Sequence, residues 1–195
     1  MLEILTLTGA QTRPYFGPIQ EIYASAFKAP PFNEALADVL VFSARLPQHA
    51  RWGGFKCVLA VDRVAGIDGN LAPGAGTPVG FAYGYVSRPD TWWRQQVDGA
   101  MSREMVLEWL QDCFEFVELA VSPAYQGRGA GGRLHDALLA GIKQRTAILS
   151  TPQANTKALH LYRKRGWVNL IENFVFQGVP LPYLIMGMRL KPDGQ

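Results

Sequence analysis

The sequence predicts an α/β fold, of the α+β kind, in which strands and helices build a single domain over residues 1–195. Three observations lead to it. Apolar residues change period along the chain, forming short alternating or continuous runs that read as strands, with stretches of helical spacing between them. A glycine-rich turn over residues 126–132 stands between a strand-like run and a helical pattern, so one strand feeds a helix through a loop. The length of 195 residues and the 48% hydrophobic share suffice for one well-buried core, and leave little room for a second.

Taken in order, residues 2–8 alternate as an opening strand, and residues 18–27 place Ile19, Ile22, Tyr23 and Ala26 at helical spacing. The run Ala29-Pro30-Pro31-Phe32-Asn33 breaks that helix. A second helix over residues 34–46 is expected to turn Leu36, Val39 and Leu40 to one face. Strands follow at residues 55–61 and 78–86, the latter containing Gly80 and Gly84, with a glycine-rich hairpin loop at residues 66–76 between them. Residues 88–111 hold Trp92, Trp93 and a helix through Met105, Leu107 and Leu110.

After a strand at residues 114–121 and the glycine turn, a helix presents Leu134, Leu138, Leu139 and Ile142 on one face. A strand at residues 147–150, a helix at residues 155–165 ending at Gly166, and strands at residues 168–176 and 183–190 complete the map. Internal repeats, linkers and low-complexity tracts are absent from the sequence.

Composition narrows the function. A net charge of +3 with scattered basic residues argues against a nucleic-acid partner. Membrane association is not expected, since no stretch approaches the roughly 18 apolar residues of a spanning helix. The start, Met1-Leu2-Glu3-Ile4, does not read as a secretory signal, so a cytoplasmic location is expected. Cys57 and Cys113 lie apart among apolar neighbours and read as reduced core thiols. His49, His135 and His160 read as surface or helix residues, and no metal-ligand spacing occurs.

The run Gln126-Gly127-Arg128-Gly129-Ala130-Gly131-Gly132 has the makings of an anion site, because free backbone N–H groups and the positive helix end converge there. It lacks the Gly-Lys-Ser/Thr ending of a nucleotide phosphate loop. Gly127, Gly129 and Gly132 spell Gly-x-Gly-x-x-Gly, but without the acid that completes a dinucleotide fingerprint.

Over about residues 114–190 the chain resembles the GNAT superfamily of N-acetyltransferases. Gln126, Gly129 and Gly131 supply its Gln/Arg-x-x-Gly-x-Gly/Ala signature, and Glu118-Leu119-Ala120-Val121-Ser122-Pro123 looks like its fourth strand. Asn155, Ala158, Leu161-Tyr162 and Gly166-Trp167 look like its Asn-x-x-Ala-x-x-Leu-Tyr-x-x-x-Gly-Phe segment, with tryptophan replacing phenylalanine. The resemblance implies a mixed, mostly antiparallel sheet of six to seven strands flanked by helices, with splayed fourth and fifth strands. It also implies acetyl-CoA as cosubstrate and no metal. The diphosphate would rest on Gln126, Gly127, Arg128, Gly129, Ala130 and Gly131, and the pantetheine arm on Leu119, Ala120, Val121, Asn155, Ala158 and Leu161.

Direct acetyl transfer requires a neutral amine, whereas an alkylammonium has a pKa of about 10.4, so a base is needed. Glu115 and Glu118 are the candidates, with Glu118 preferred. Their spacing of three puts them on opposite faces of a regular strand unless a bulge intervenes, and either one also reads as a solvated or salt-bridged glutamate. The resemblance places Tyr162 beside the leaving thiol as proton donor, and a backbone N–H such as that of Val121 at the developing oxyanion.

Acceptor contacts are expected from Phe32, Glu34, Trp92 and Trp93, although Glu34 also reads as a helix-start carboxylate and the tryptophans as anchors. The expected partner is an amine of a small molecule or peptide, and a homodimer paired through the C-terminal strands stays open. The alternative function is a non-catalytic acyl-CoA-binding sensor.

Overall fold

Seven strands line up in the order β1-β2-β3-β4-β5-β7-β6, as β1 (Leu2–Leu7), β2 (Lys56–Asp62), β3 (Thr77–Val86), β4 (Cys113–Val121), β5 (Thr146–Pro152), β6 (Val168–Val175) and β7 (Pro182–Arg189). The computed structural model describes residues 1–28, 32–63, 76–179 and 181–190. The pairs β1–β2, β2–β3, β5–β7 and β6–β7 are antiparallel, and β4–β5 is parallel. This is the mixed, mostly antiparallel sheet that the resemblance implied. Backbone packing divides the chain into two compact units, residues 1–84 with 118–140 and residues 85–117 with 141–195, so β3 and β4 each contribute to both.

In the first unit the β1–β2 register runs from Leu2↔Asp62 to Leu7↔Cys57, and β2 pairs with β3 from Lys56↔Gly84 onward. Its helices are α1 (Gly9–Thr12), α2 (Phe16–Phe27), α3 (Leu36–His49) and α6 (Ala130–Leu139), with α4 (Trp92–Asp98) and α5 (Arg103–Met105) falling in the second unit. α2 buries Ile19, Ile22, Tyr23 and Phe27, and its Tyr23 ring stacks on Phe42 of α3 at 3.9 Å between centroids. α3 corrects one expectation: Val39 is buried, but Leu36 is 74% and Leu40 58% exposed. At about 100° per residue, Val39, Phe42, Leu46 and His49 share one arc of the helix, and Leu36 and Leu40 fall outside it.

α6 packs on β1 and β2, buries Leu134 and Leu138 and ends at Leu139. Gly141 then turns left-handed at φ +70°, so Ile142 lies beyond the helical face expected to include it. The expected hairpin loop of residues 66–76 lies outside the described residues except for Gly76.

The second unit holds α4 (Trp92–Asp98), α5 (Arg103–Met105) and α7 (Lys157–Lys164). α5 runs into a π-helical turn, Val106–Leu110. The wider turn brings Trp109 and Leu110 to the core together and leaves Leu107 exposed, which local spacing did not reveal. Val97, Trp109, Leu110, Cys113, Ile148, Phe176 and Ile185 form the core. α7 starts later than expected because Thr156 caps it, its Oγ1 accepting from Leu159 N at 3.0 Å, and Asn155 therefore precedes the helix.

The β4–β5 register covers only Cys113↔Thr146 to Glu115↔Ile148, although β4 continues to Val121 and β5 to Pro152. The two strands thus splay after Glu115, as expected.

Candidate active site

In the first unit, β4 leads through Ser122 and a 3-10 turn, Pro123–Tyr125, into the glycine turn. Ser122 N donates to Val79 O at 2.8 Å and Tyr125 Oη to Asp62 Oδ2 at 2.8 Å, which ties the turn down on both sides. Gly127 and Gly129 take φ of +76° and +82°, left-handed values that ordinary side chains avoid. Gly129 is the N-cap of α6 and offers no side chain to the first turn, so the leading amides carry no side-chain cap. Gly131 packs over β4, where an added Cβ would meet Leu119 Cδ2 at 3.8 Å. Gln126 turns back, Nε2 donating to Val121 O at 3.0 Å, and Arg128 lies over the Tyr125 ring at 5.6 Å. Backbone donors at a helix start, with glycines that allow close approach, suit a diphosphate.

Glu118, also in this unit, is half-buried as a residue, yet its carboxyl is desolvated enough to push its pKa up to about 8. Arg45 of α3 pulls that value down and Glu34 pushes it up. Burial raises Glu34 as well, with the Tyr23 phenol donating to its carboxyl and opposing the shift. The same burial pushes Tyr23 and Tyr83 far above the usual phenol range, with the Glu118 charge adding to it. His49 is driven down to about 4 by burial and Arg45, so it is neutral where Nδ1 meets Tyr83 Oη at 3.2 Å.

Among the described residues, Oε2 of Glu34 is buried with no hydrogen-bond partner. Glu34 is not the helix-start carboxylate: α3 begins at Leu36, and Asp38 Oδ2 accepts from Ala35 N at 2.8 Å in that role. Phe32 stands edge-on to Phe27 at 4.7 Å.

In the second unit Glu115 is 3% exposed and accepts from Ser87 Oγ at 2.7 Å, with the Tyr85 phenol and Arg88 backbone N–H also donating to it. Burial raises its pKa, and these donors and Arg94 oppose the rise. Tyr162 is buried with its ring edge-on to Phe116 at 6.0 Å and Trp167 at 5.9 Å. Ala158 and Leu161 are half-buried on α7. Asn155 is exposed and lines a cleft of about 370 Å³ with Gln153, Arg163 and Glu172.

Trp93 anchors α4, its Nε1 donating to Ser150 Oγ at 3.1 Å, whereas Trp92 is 52% exposed beside Phe176. Cys57 and Cys113 are buried free thiols, and burial pushes Cys57 up to about 12 and Cys113 higher, which suits neither to nucleophilic work. Among the described residues there is no His/Cys/Asp/Glu group that would hold a metal, and no helix is long and apolar enough to cross a membrane.

Residues 64–167 match the model of the acetyltransferase (GNAT) family. The chain belongs to that family. It is also 31% identical over 192 residues to a GCN5-like protein acetyltransferase of Mycobacterium tuberculosis, across 89% of this chain and 91% of the relative. The GNAT fold recurs in the ribosomal-protein-S18-alanine N-acetyltransferase of Escherichia coli, at 16% identity and a TM-score of 0.60 over 100% of this chain and 97% of that one. It recurs again in the NatC complex bound to Gag peptide and CoA, at 16% identity and a TM-score of 0.63 over 97% and 99% of the two chains. Acetyl transfer is therefore the chemistry of this GNAT chain.

Several polar residues of this GNAT protein escaped the sequence reading. Tyr23 and Arg45 sit on helices whose apolar stripes dominate the pattern, and Ser87 and Arg94 lie in a segment with little periodicity. Its position directly after Trp92 and Trp93 was the one available signal for Arg94.

Proposed function

We propose that residues 1–195 form one acetyltransferase domain that moves an acetyl group from acetyl-CoA directly onto a primary amine of a small molecule or peptide. The observation that carries this reading is Glu118, whose carboxyl titrates near 8 among Tyr23, Glu34, Arg45 and Tyr83 and is thus matched to deprotonating an ammonium near neutral pH. Oε2 of Glu34, buried without a donor among the described residues, supports an acceptor that arrives as a cation, since such an oxygen is costly.

The uncapped start of α6 fits a diphosphate, held by the backbone of Gly127, Arg128, Gly129, Ala130 and Gly131, with Gln126 fastening the turn to Val121. Leu119, Ala120 and Val121 offer strand backbone to the pantetheine arm, and Asn155, Ala158 and Leu161 are assigned to it by family resemblance. When bound, the cofactor supplies the activated acetyl group. Tyr162 is assigned the proton that the departing thiolate needs. The likeness to a mycobacterial protein acetyltransferase supports an amine of a protein or peptide as the acceptor.

The test is free-thiol release from acetyl-CoA across a panel of small amines and peptides. Amine-dependent release that falls about 100-fold or more in Glu118→Gln is the expected outcome. CoA binding without release for any amine would instead mark an acyl-CoA-binding module.

A further inference from the structure

Glu115 and Arg94 are joined through one hydroxyl. Arg94, 6% exposed, donates from Nη1 to Ser87 Oγ at 2.7 Å, and Ser87 Oγ donates in turn to Glu115 Oε1 at 2.7 Å. The same segment is fastened by its backbone, because Ser87 N donates to Cys113 O at 2.9 Å. Arg94 Nε is buried with no hydrogen-bond partner among the described residues, and Asp98 Oδ2 stands off at 3.9 Å.

The location of this relay on the strand is what gives it meaning. Glu115↔Ile148 is the last residue pair of β4 and β5, while β5 stays paired with β7 as far as Pro152↔Tyr183. Burying a guanidinium and a carboxylate is unfavourable compared with apolar side chains of similar volume, so packing alone does not account for them. A directional chain of hydrogen bonds does what apolar contacts cannot, which is to fix one residue of a strand in rotation and register.

We propose that Arg94, Ser87 and Glu115 form a positioning relay that fixes the residue at which β4 parts from β5, and that Glu115 is a positioning residue and takes no proton from the acceptor. With Ser87, Tyr85 and Arg88 engaging three of the about four acceptor sites of its carboxylate, Glu115 has little capacity left for an ammonium. The relay acts on the reaction by leaving the backbone beyond Glu115 free for the cofactor arm, and in this it rests on the acetyl-transfer reading above.

Ser87→Ala, Arg94→Lys and Glu115→Gln test it, with the double variant Ser87→Ala/Glu115→Gln. Thermal unfolding identifies which variants fold, and the conservative Arg94→Lys and Glu115→Gln keep the test open if Ser87→Ala does not. In folded variants we expect KM for acetyl-CoA and Kd for CoA to rise about 3- to 10-fold, with kcat within about 3-fold and the pH profile of kcat unchanged. The double variant should be no worse than the weaker single, because one chain is cut twice.

A loss of about 100-fold in kcat with disappearance of the acidic limb in Glu115→Gln would make it the proton acceptor and overturn the proposal. Unchanged KM and Kd in folded variants would overturn it equally. Should the wild-type protein bind CoA but acetylate nothing, the acetyl-transfer reading fails while CoA affinity still tests the relay.

Discussion

Lys56 of β2 donates from Nζ to the carbonyl of Ala140 at 2.6 Å, and also to that of Ala137 at 2.8 Å, so a strand side chain closes the C-terminal end of α6. A cation there meets both the orphan carbonyls of the last turn and the negative end of the helix dipole. Replacing Lys56 by Met keeps the aliphatic stem and removes both interactions. Urea denaturation at neutral pH should show a loss of about 1–2 kcal/mol, with CoA affinity within about twofold of wild type.

The other end of α6 responds to backbone conformation. Gly129 has φ +82°, and a Cβ placed there meets nothing within 4 Å, so any penalty for Gly129→Ala is conformational. The substitution should cost about 1–2 kcal/mol or force the turn to rearrange. By calorimetry, Kd for CoA should rise several-fold, and Gly129→Asn should lose less, since asparagine tolerates the left-handed region better.

Glu118 links rate and stability to pH. Its folded pKa of about 8 lies above the ordinary 4.5, so between these values the folded protein binds more protons than the unfolded chain. Stability contributed by this group is therefore fully present below about pH 4.5 and lost as pH rises through about 8, whereas kcat should climb over the upper part of the same window as the base is freed. Unfolding free energies measured against pH should flatten in Glu118→Gln, and an identical slope in the variant would refute the assignment.

Tyr162 separates packing from chemistry. Its ring is held between Phe116 and Trp167, contacts that phenylalanine preserves. Tyr162→Phe should lower kcat by about 10- to 100-fold with KM for acetyl-CoA within about twofold, while the thermal midpoint moves little. A change confined to the midpoint would reduce the residue to a core tyrosine.

Much of the fold was legible in the chain because the relevant signals are local. The run expected at residues 55–61 is β2, Lys56–Asp62, since a fully buried strand declares itself by an unbroken apolar run. The glycine turn was legible for the same reason: Gly127 and Gly129 occupy backbone conformations that side chains resist, and spacing alone reports it. β5 is the exception: expected at residues 147–150, it runs from Thr146 to Pro152 because β7 pairs with it as far as Tyr183.

Other features were settled by which distant residues met. Leu36 and Leu40 belong to an apolar pattern, but the face that α3 buries depends on where α2 packs. Glu34 reads as a helix-start carboxylate until the chain places it beside Tyr23, and the sequence prefers Glu118 to Glu115 only slightly until one is held by Ser87, Tyr85 and Arg88 and the other set against Arg45. Periodicity and glycine spacing are encoded over a few residues and survive in the bare sequence. Desolvation and hydrogen-bond partnership belong to pairs far apart along the chain, and come into being only when folding brings them together.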